Sequence, residues 1–508
     1  MKRKWLCTVL AALMTFGFAA CGEEELANSS SHGASDSTPS ASVPDTPDPP
    51  ENPGEDEPIE YGDFVPVLRF VVCSDIHLEK SIPARAERFE KFMQSAYAYS
   101  DSHEQYKSLD AIVVTGDLTD NPVKDTTAYS SFVQTVETNK REETTILTMT
   151  GNHETYGASD DTLCHTQGVV DYQEQIHGEV DRHITIKGFH FIALSTMPDV
   201  TQDRDTGVYL NSQVEWLETQ LEEAEAADSK KPIFTFQHYK LPNTTYSSYD
   251  AFSVGQTQKL YDVYKNYSQV INFSGHTHSV SNQPRSIWQG EFTALEAAPL
   301  KNVGVASVDK FVTQANAFRN SNDLDAIKTD AATYYRIVEV DEYNRTRIYT
   351  CNLETNELAK TAATTDSPDE IMMFEITDPT DPSTFRYTDK RAEVAAKPYF
   401  EDGAQLQFVL EGSVTRPTAV FPQMMDDSCP FMYKIIVTPT DNPNNNAAAI
   451  KKEYNYLDVF YWGDTTADEA FVLSALKANT EYSVKVIPIN IWGLEGEPLV
   501  ATYSTFAA

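Results

Sequence analysis

The sequence predicts a layered α/β domain followed by an all-β sandwich, and three observations carry that reading. From about residue 67 to residue 273, apolar strand-like runs alternate with helix-like stretches, a pattern that argues for strands covered by helices. After about residue 365 the helical signal fades, and short β-type runs are separated by turn residues at the spacing of a sandwich. The chain has 508 residues, 41% of them hydrophobic, which is enough apolar material for more than one core.

The elements follow in order. Val67–Val72 is a β-rich run, Ala84–Tyr99 has helical composition, and Ala111–Val114 is a buried-strand run. Tyr129–Thr138 reads as a helix and Thr145–Met149 as a strand. Ser212 is placed to cap a helix in which Val214, Leu217 and Leu221 share one face. The strand Pro232–Phe236, a helix around Leu260–Tyr267 and the strand Val270–Phe273 come next. Ile184–Ile186 with His190–Leu194, and Tyr334–Val340 with Arg345–Cys351, read as strand pairs that extend the sheet or add a second one. In the tail, Gln405–Leu410, Tyr433–Val437 and Tyr482–Val486 are the β-type runs, and a sandwich core accounts best for Tyr454, Tyr456, Phe460, Tyr461 and Trp462.

The N-terminus carries its own information. Lys2, Arg3 and Lys4 precede the short apolar stretch Trp5–Phe18, and Ala19 and Ala20 precede Cys21. This is the layout of a secretory signal, too short for a comfortable transmembrane helix. Phe18-Ala19-Ala20-Cys21 resembles a bacterial lipobox, with Phe where Leu is more usual. The resemblance implies a signal over 1–21, acylation of Cys21 and an extracytoplasmic, membrane-anchored lipoprotein. Residues 22–64 are rich in Ser, Pro, Asp and Glu, contain no Lys or Arg, and read as a disordered, self-repelling tether. Glu23-Glu24-Glu25 resembles the surface-export signal of some bacterial lipoproteins, and acidic tethers also serve plain solubility. No other segment is long and apolar enough to span a bilayer.

The formal net charge is −37. That argues against nucleic-acid binding through phosphate neutralisation and against attraction to acidic membrane surfaces. Cys73, Cys164, Cys351 and Cys429 show no CxxC pair and read as buried small hydrophobes, with one disulfide among them left open.

Five short motifs each follow an apolar strand: Asp75-Ile76-His77, Gly116-Asp117, Gly151-Asn152-His153-Glu154, the single His238, and Gly275-His276-Thr277-His278. Functional groups gather beyond the carboxyl ends of strands in open α/β sheets, so five strands would deliver these side chains to one edge. Nitrogen and oxygen donors of this kind suit first-row metals such as Mn, Fe or Zn. The one-residue gap in Asp75-x-His77 and in His276-x-His278 returns both side chains of each pair to the same side of an extended strand end. Gly116, Gly151 and Gly275 permit backbone geometry at the strand exits that a side chain would hinder. His103, His165, His177, His183 and His190 are read as structural, Glu154 as a supporting residue, and Tyr239 and Lys240 as either lining a cleft or lying exposed.

In this order the motifs resemble those of the calcineurin-like metallophosphoesterase superfamily over about residues 67–300. The resemblance implies a four-layer fold, two β-sheets flanked by helices, over 65–360. It also implies two metal ions: Asp75, His77 and His278 on the first, Asn152, His238 and His276 on the second, Asp117 bridging, and His153 on the substrate phosphate and leaving oxygen. Asp120 matches a position shortly after Gly-Asp where the family often has an acidic residue or Asn, with no role assigned. The Asp75-x-His77 form departs from purple acid phosphatases, which lack that His and add a Tyr ligand. Residues 361–400 are expected to connect to a sandwich over 401–508, where Leu476–Val486, Asn490 and Gly493 resemble the late strands of a fibronectin type III domain.

Phosphoesters are anionic, and two ions roughly 3.5–4 Å apart lower the pKa of a bridging water and offset charge on attacking and leaving oxygens. Bound dications set the local field, so an acidic protein can still take an anionic substrate. The expected reaction is hydrolysis of a phosphodiester or phosphomonoester, small-molecule or cell-envelope, by in-line attack of a hydroxide that bridges the metals. A 5′-nucleotidase ranks below it because the tail holds no obvious nucleotide-gripping domain. A non-catalytic lipoprotein that binds glycan or protein through the sandwich is the reading from another class.

Overall fold

The computed structural model describes residues 61–156, 162–199, 207–248, 256–304, 310–311, 334–365, 370–410, 413–440, 452–458, 468–474 and 476–506. The expectations for the signal over 1–21, for Cys21, for the tether up to residue 60, and for Phe460, Tyr461 and Trp462 lie outside these residues, as does the side chain of Cys164.

The first half runs β1 (Pro66–Ser74), α1 (Pro83–Asp101), β2 (Ala111–Val114), α2 (Ala128–Asn139), β3 (Thr145–Thr148) and α3 (Thr162–Gln175). β1, β2 and β3 are parallel neighbours, with Val72 opposite Val113 and Val113 opposite Leu147. Next come β4 (Arg182–Ile186), β5 (Phe189–Leu194), the two-residue pair β6 (Met197–Pro198) and β7 (Gly207–Val208), α4 (Asn211–Ala227), β8 (Ile233–Gln237), α5 (Thr257–Tyr264) and β9 (Val270–Ser274). β10 (Ile287–Gln289), β11 (Thr293–Glu296) and β12 (Ala298–Pro299) follow, then β13 (Tyr334–Asp341), β14 (Thr346–Asn352), β15 (Glu357–Leu358) and β16 (Met373–Ile376).

Apart from the separate β6–β7 pair, these strands make two sheets among the described residues. The first has the order β15-β14-β13-β1-β2-β3, with β12 on β1 and β16 on β14; the second has the order β10-β11-β9-β8-β5-β4. The expected hairpins therefore divide: β4–β5 sits in the second sheet and β13–β14 extends the first. The sequence alternation of β1 explains the layering. Leu68, Phe70 and Val72 point to the second sheet, joining Phe191, Phe234 and Phe273 in one buried cluster. Val71 and Cys73 point the other way, onto Phe89, Phe92 and Met93 of α1 and Phe132 of α2. Leu217 and Leu221 of α4 and Leu260 of α5 cover the outer face of the second sheet. The order helix, sheet, sheet, helix is the four-layer fold expected. Phe70 meets the rings of Phe191 and Phe234 edge-on at 5.0 and 4.7 Å, an arrangement worth about 0.5–1.5 kcal/mol per pair beyond burial.

Two details differ from the sequence reading. The N-cap position of α4 is Leu210, and Ser212 lies exposed inside the first turn. The helix start is set by Gln213, whose Oε1 accepts the Leu210 N–H at 2.8 Å while its amide donates to Asp181 and to the Ser195 carbonyl. The segment expected only to connect, 361–400, adds β16 to the first sheet, with Phe374 and Ile376 buried on alternate positions. Cys73, Cys351 and Cys429 are buried, as the reading of small hydrophobes requires.

The tail holds α6 (Arg391–Val394) and then β17 (Gln407–Val409), β18 (Thr418–Phe421), β19 (Pro430–Pro439), β20 (Lys452–Leu457), β21 (Glu469–Val472), β22 (Glu481–Asn490) and β23 (Leu499–Ser504). Among the described residues they form a three-stranded sheet, β17-β18-β21, and a four-stranded sheet, β20-β19-β22-β23. Tyr482, at the start of β22, accepts the Lys477 N–H at 2.8 Å, the corner that immunoglobulin-like sandwiches use at this place. Tyr454 and Tyr456 pack against Phe471 at 5.2 and 5.3 Å, within the sandwich.

Candidate metal centre

The motif-bearing loops leave the carboxyl ends of β1, β2, β3, β8 and β9. Backbone hydrogen bonds tie them together: Asp75 N–H to Gly116 O at 3.1 Å, His77 N–H to Asp117 O at 2.9 Å, and Gly275 N–H to His238 O at 2.9 Å. Asp75, His77, Asp117, His276 and His278 all have φ between 50° and 72°. This left-handed region costs a side-chain-bearing residue roughly 1–3 kcal/mol. Five of the eight predicted site residues thus occupy it, held there by the surrounding fold.

The side chains converge. Asp117 Oδ2 lies 3.5 Å from His77 Nε2, 3.2 Å from His238 Nε2 and 3.9 Å from His153 Nε2. Asp75 Oδ1 lies 3.1 Å from His278 Nε2 and 3.8 Å from His77 Nε2. Asn152 Oδ1 sits between His238 Nε2 at 3.0 Å and His276 Nδ1 at 2.9 Å. All eight residues named from the sequence are therefore at one place, and Asp117 stands between the two groups. Asp75, His77 and His278 bring one donor atom each within 4.8 Å of one another, as do Asp75, Asp117 and His238.

Neighbours set the orientation of the rings. His238 Nδ1–H donates to the Thr115 carbonyl at 2.8 Å and His278 Nδ1–H to the Asn302 carbonyl at 3.0 Å, which leaves both Nε2 lone pairs facing inward. His77 Nδ1 is 3.3 Å from Asp120 Oδ1, and that carboxylate also takes Lys301 at 3.1 Å and Arg85 at 3.2 Å. Asp120, unassigned from the sequence, is thus the partner of His77. The Thr115 and Asn302 carbonyls, Lys301 and Arg85 carry no local sequence signal, since a carbonyl acceptor is independent of residue type and the cations come from distant segments. Tyr239 and Lys240 do not lie exposed. Both are buried, Tyr239 edge-on to His276 at 4.5 Å and Lys240 paired with Glu296 at 3.2 Å.

Charge is balanced inside the site by protons. Burial alone would raise the Asp75 carboxyl, but His278, His77 and His238 outweigh it and hold it well below the usual carboxylate range. Asp117 is lowered in the same way, against burial, chiefly by His238 and His153. Burial would lower His238, yet Asp117 and Asp75 raise it to about 9. Burial and the neighbouring His238 push His276 down to about 3.

A metal pair fits this donor set. Among the described residues, none donates a hydrogen bond to the buried Asp75 Oδ1, although His278 Nε2 is 3.1 Å away. His77 Nε2 and His278 Nε2 face each other at 3.3 Å. Buried polar atoms left in such a state are costly without a shared cation.

The match to known sequences agrees. Residues 68–280 match the family described as calcineurin-like phosphoesterase. This segment is a calcineurin-like phosphoesterase domain. It is the domain of a metal-dependent phosphoesterase. No curated protein sequence matches the chain. Among solved structures, a dimetal phosphatase from Danio rerio aligns over 56% of this chain and 95% of its own, at 12% identity and a TM-score of 0.38. A purple acid phosphatase from yellow lupin seeds aligns over 57% of this chain and 52% of its own, at 13% identity and a TM-score of 0.39. The FN5 domain of Drosophila Lar aligns over 23% of this chain and all of its own, at 14% identity and a TM-score of 0.16.

In the phosphoesterase domain, Glu154 is the cradle for two of the loops. Its Oε2 accepts the Asp117 and Gly151 N–H groups at 3.0 and 2.7 Å, and its Oε1 accepts the Thr119 N–H and hydroxyl at 2.9 and 3.0 Å. Burial and the Asp117 charge raise its carboxyl to about 7, opposed by those same N–H groups. Glu154→Gln turns an amide N–H₂ toward two of the donors. Each N–H left unmet costs roughly 1–3 kcal/mol, so a clear fall in thermal unfolding temperature is expected. An unchanged melt would remove Glu154 from this role.

Proposed function

We propose that the protein hydrolyses a phosphoester at this centre with two bound metal ions. The observation that carries the reading is Asp117 Oδ2 facing three imidazoles between the Asp75 and Asn152 groups. Asp75, His77 and His278 would hold one ion, Asn152, His238 and His276 the other, and Asp117 both. Ions bound there lower the pKa of a water and offset charge on the attacking and leaving oxygens of an in-line displacement. His153 stands at the rim with Nδ1–H donating to the Asp120 carbonyl at 2.6 Å. That contact leaves Nε2 as the nitrogen that meets the phosphate and exchanges a proton with the leaving oxygen. Lys301, beside His77 and about a quarter exposed, adds a positive charge where an anionic substrate would arrive.

The test is a chelator-stripped protein reloaded with Mn, Fe or Zn and offered nucleotides, lipid-headgroup diesters, sugar phosphates and teichoic-acid fragments. Two equivalents of metal and metal-dependent hydrolysis are expected. A chain that holds no stoichiometric metal and cleaves no ester in the panel would be a scaffold. We further propose that Cys21 carries the lipid anchor of an extracytoplasmic protein, on the strength of the Phe18–Cys21 motif. Cys21→Ser should move the protein from the membrane fraction to the soluble fraction and end labelling by a fatty-acid probe; retention in the membrane would discard the anchor.

A further inference from the structure

We propose that the C-terminal sandwich is a working part of the phosphoesterase centre, holding the His276–His278 segment in its ligating conformation. The proposal rests on the metal reading above. After the two histidines the chain does not return to solvent: Ser279–Gln283, Arg285 and Ser286 are buried. Val280 and Val303 join Phe431, Ile491 and Trp492 of the sandwich in one apolar cluster. Val303 belongs to the segment that orients His278. Its neighbour Asn302 takes the His278 Nδ1–H, and the Gly304 N–H donates to the His278 carbonyl. The sandwich thus presses on both strands of the short bridge, Ser279 with Gly304, that carries this ligand.

A polar clamp reinforces the contact. Arg285 is buried, donates to the Ile491 carbonyl at 3.2 Å, and lies over the rings of Tyr246 at 5.5 Å and Trp492 at 5.8 Å. From the segment before the sandwich, Arg391 donates to the carbonyls of Pro284 and Ile287 at 2.7 and 2.8 Å and stacks on Trp492 at 5.1 Å. Trp492 is therefore the hub between the sandwich and the turn that follows the ligands. It touches neither metal nor substrate, so it is a positioning residue. His276 and His278 sit in the left-handed region, and a strained segment persists only while its surroundings over-determine it.

The experiment uses the full chain. Trp492→Ala and Val303→Ala remove the contact from its two sides, and Trp492→Phe keeps an aromatic ring. Loss of a group that orients a ligand weakens metal binding by roughly 10–100-fold. In chelator competition both alanine variants should therefore release metal at roughly tenfold lower chelator concentration or less, with the phenylalanine variant near wild type. The same ordering should appear in kcat, with KM little changed. If Trp492→Ala fails to fold, Val303→Ala decides. Folded variants that hold metal as tightly as the wild type overturn this inference alone. A wild-type chain that binds no metal overturns the functional reading and this inference with it.

Discussion

Asp117→Asn is expected to lose both metal ions and to lower kcat/KM roughly 10³-fold or more. The estimate follows from removing several kcal/mol of charge stabilisation, at tenfold per 1.36 kcal/mol. The carboxylate stands where His77, His238 and His153 meet. An amide there is neutral and turns either its single carbonyl oxygen or an N–H₂ toward those imidazoles. Metal content by elemental analysis and turnover on the best substrate of the panel are the measurements. Full metal with full turnover would end the two-ion assignment. The metal-free protein offers a second reading. Asp117 is the chief cause that raises His238 to about 9. A raised folded-state value contributes stability that is complete below the unfolded value near 6.5 and is lost as pH rises through about 9. The metal-free Asn variant should show a smaller loss across that window than the metal-free parent.

Gly275→Ala should destabilise the domain and strip the Asp75 side of the centre. A Cβ at this position would sit 1.8 Å from Ser74 Oγ and 2.8 Å from Asp75 Oδ2. The backbone cannot retreat freely, because the Gly275 N–H donates to the His238 carbonyl and the Ala297 N–H to Ser274 O. Overpacking of this kind costs about 1–3 kcal/mol, and a loss of that size lowers the melting temperature by several degrees, at roughly 2–4 °C per kcal/mol in a domain of this size. Thermal unfolding and metal content of the variant test it. An unchanged melt with full metal would show that the segment moves aside without cost.

The three glycines show how far residue type alone reaches. Each was expected to serve the strand exit through backbone freedom, and for Gly116, with φ of 91°, that holds. Gly151 and Gly275 are required by close approach instead: a Cβ on Gly151 would lie 2.2 Å from Asp117 Oδ1. The contact partner lies 34 residues away, so spacing within the motif carries no trace of it. The same limit applies to Lys240. Its position after His238 reads as a cleft or surface position, and only the sheet order, in which β9 lies between β8 and the Glu296 strand β11, brings the segment after β8 to its buried pairing with Glu296.

The eight side chains that gather at the candidate centre, the strands that deliver them and the change from α/β to all-β were legible in the sequence. Each depends on local patterns: alternation along a strand, a polar residue at a strand exit, turn residues at regular intervals. What only the tertiary structure decided is how those side chains are held. The Thr115 and Asn302 carbonyls that turn two imidazoles inward, the Glu154 cradle, the Asp120 group around His77 and the sandwich pressing on the His278 bridge all join segments far apart in the chain. Such contacts leave no periodicity to read, because their geometry exists only once the two sheets and the sandwich have packed.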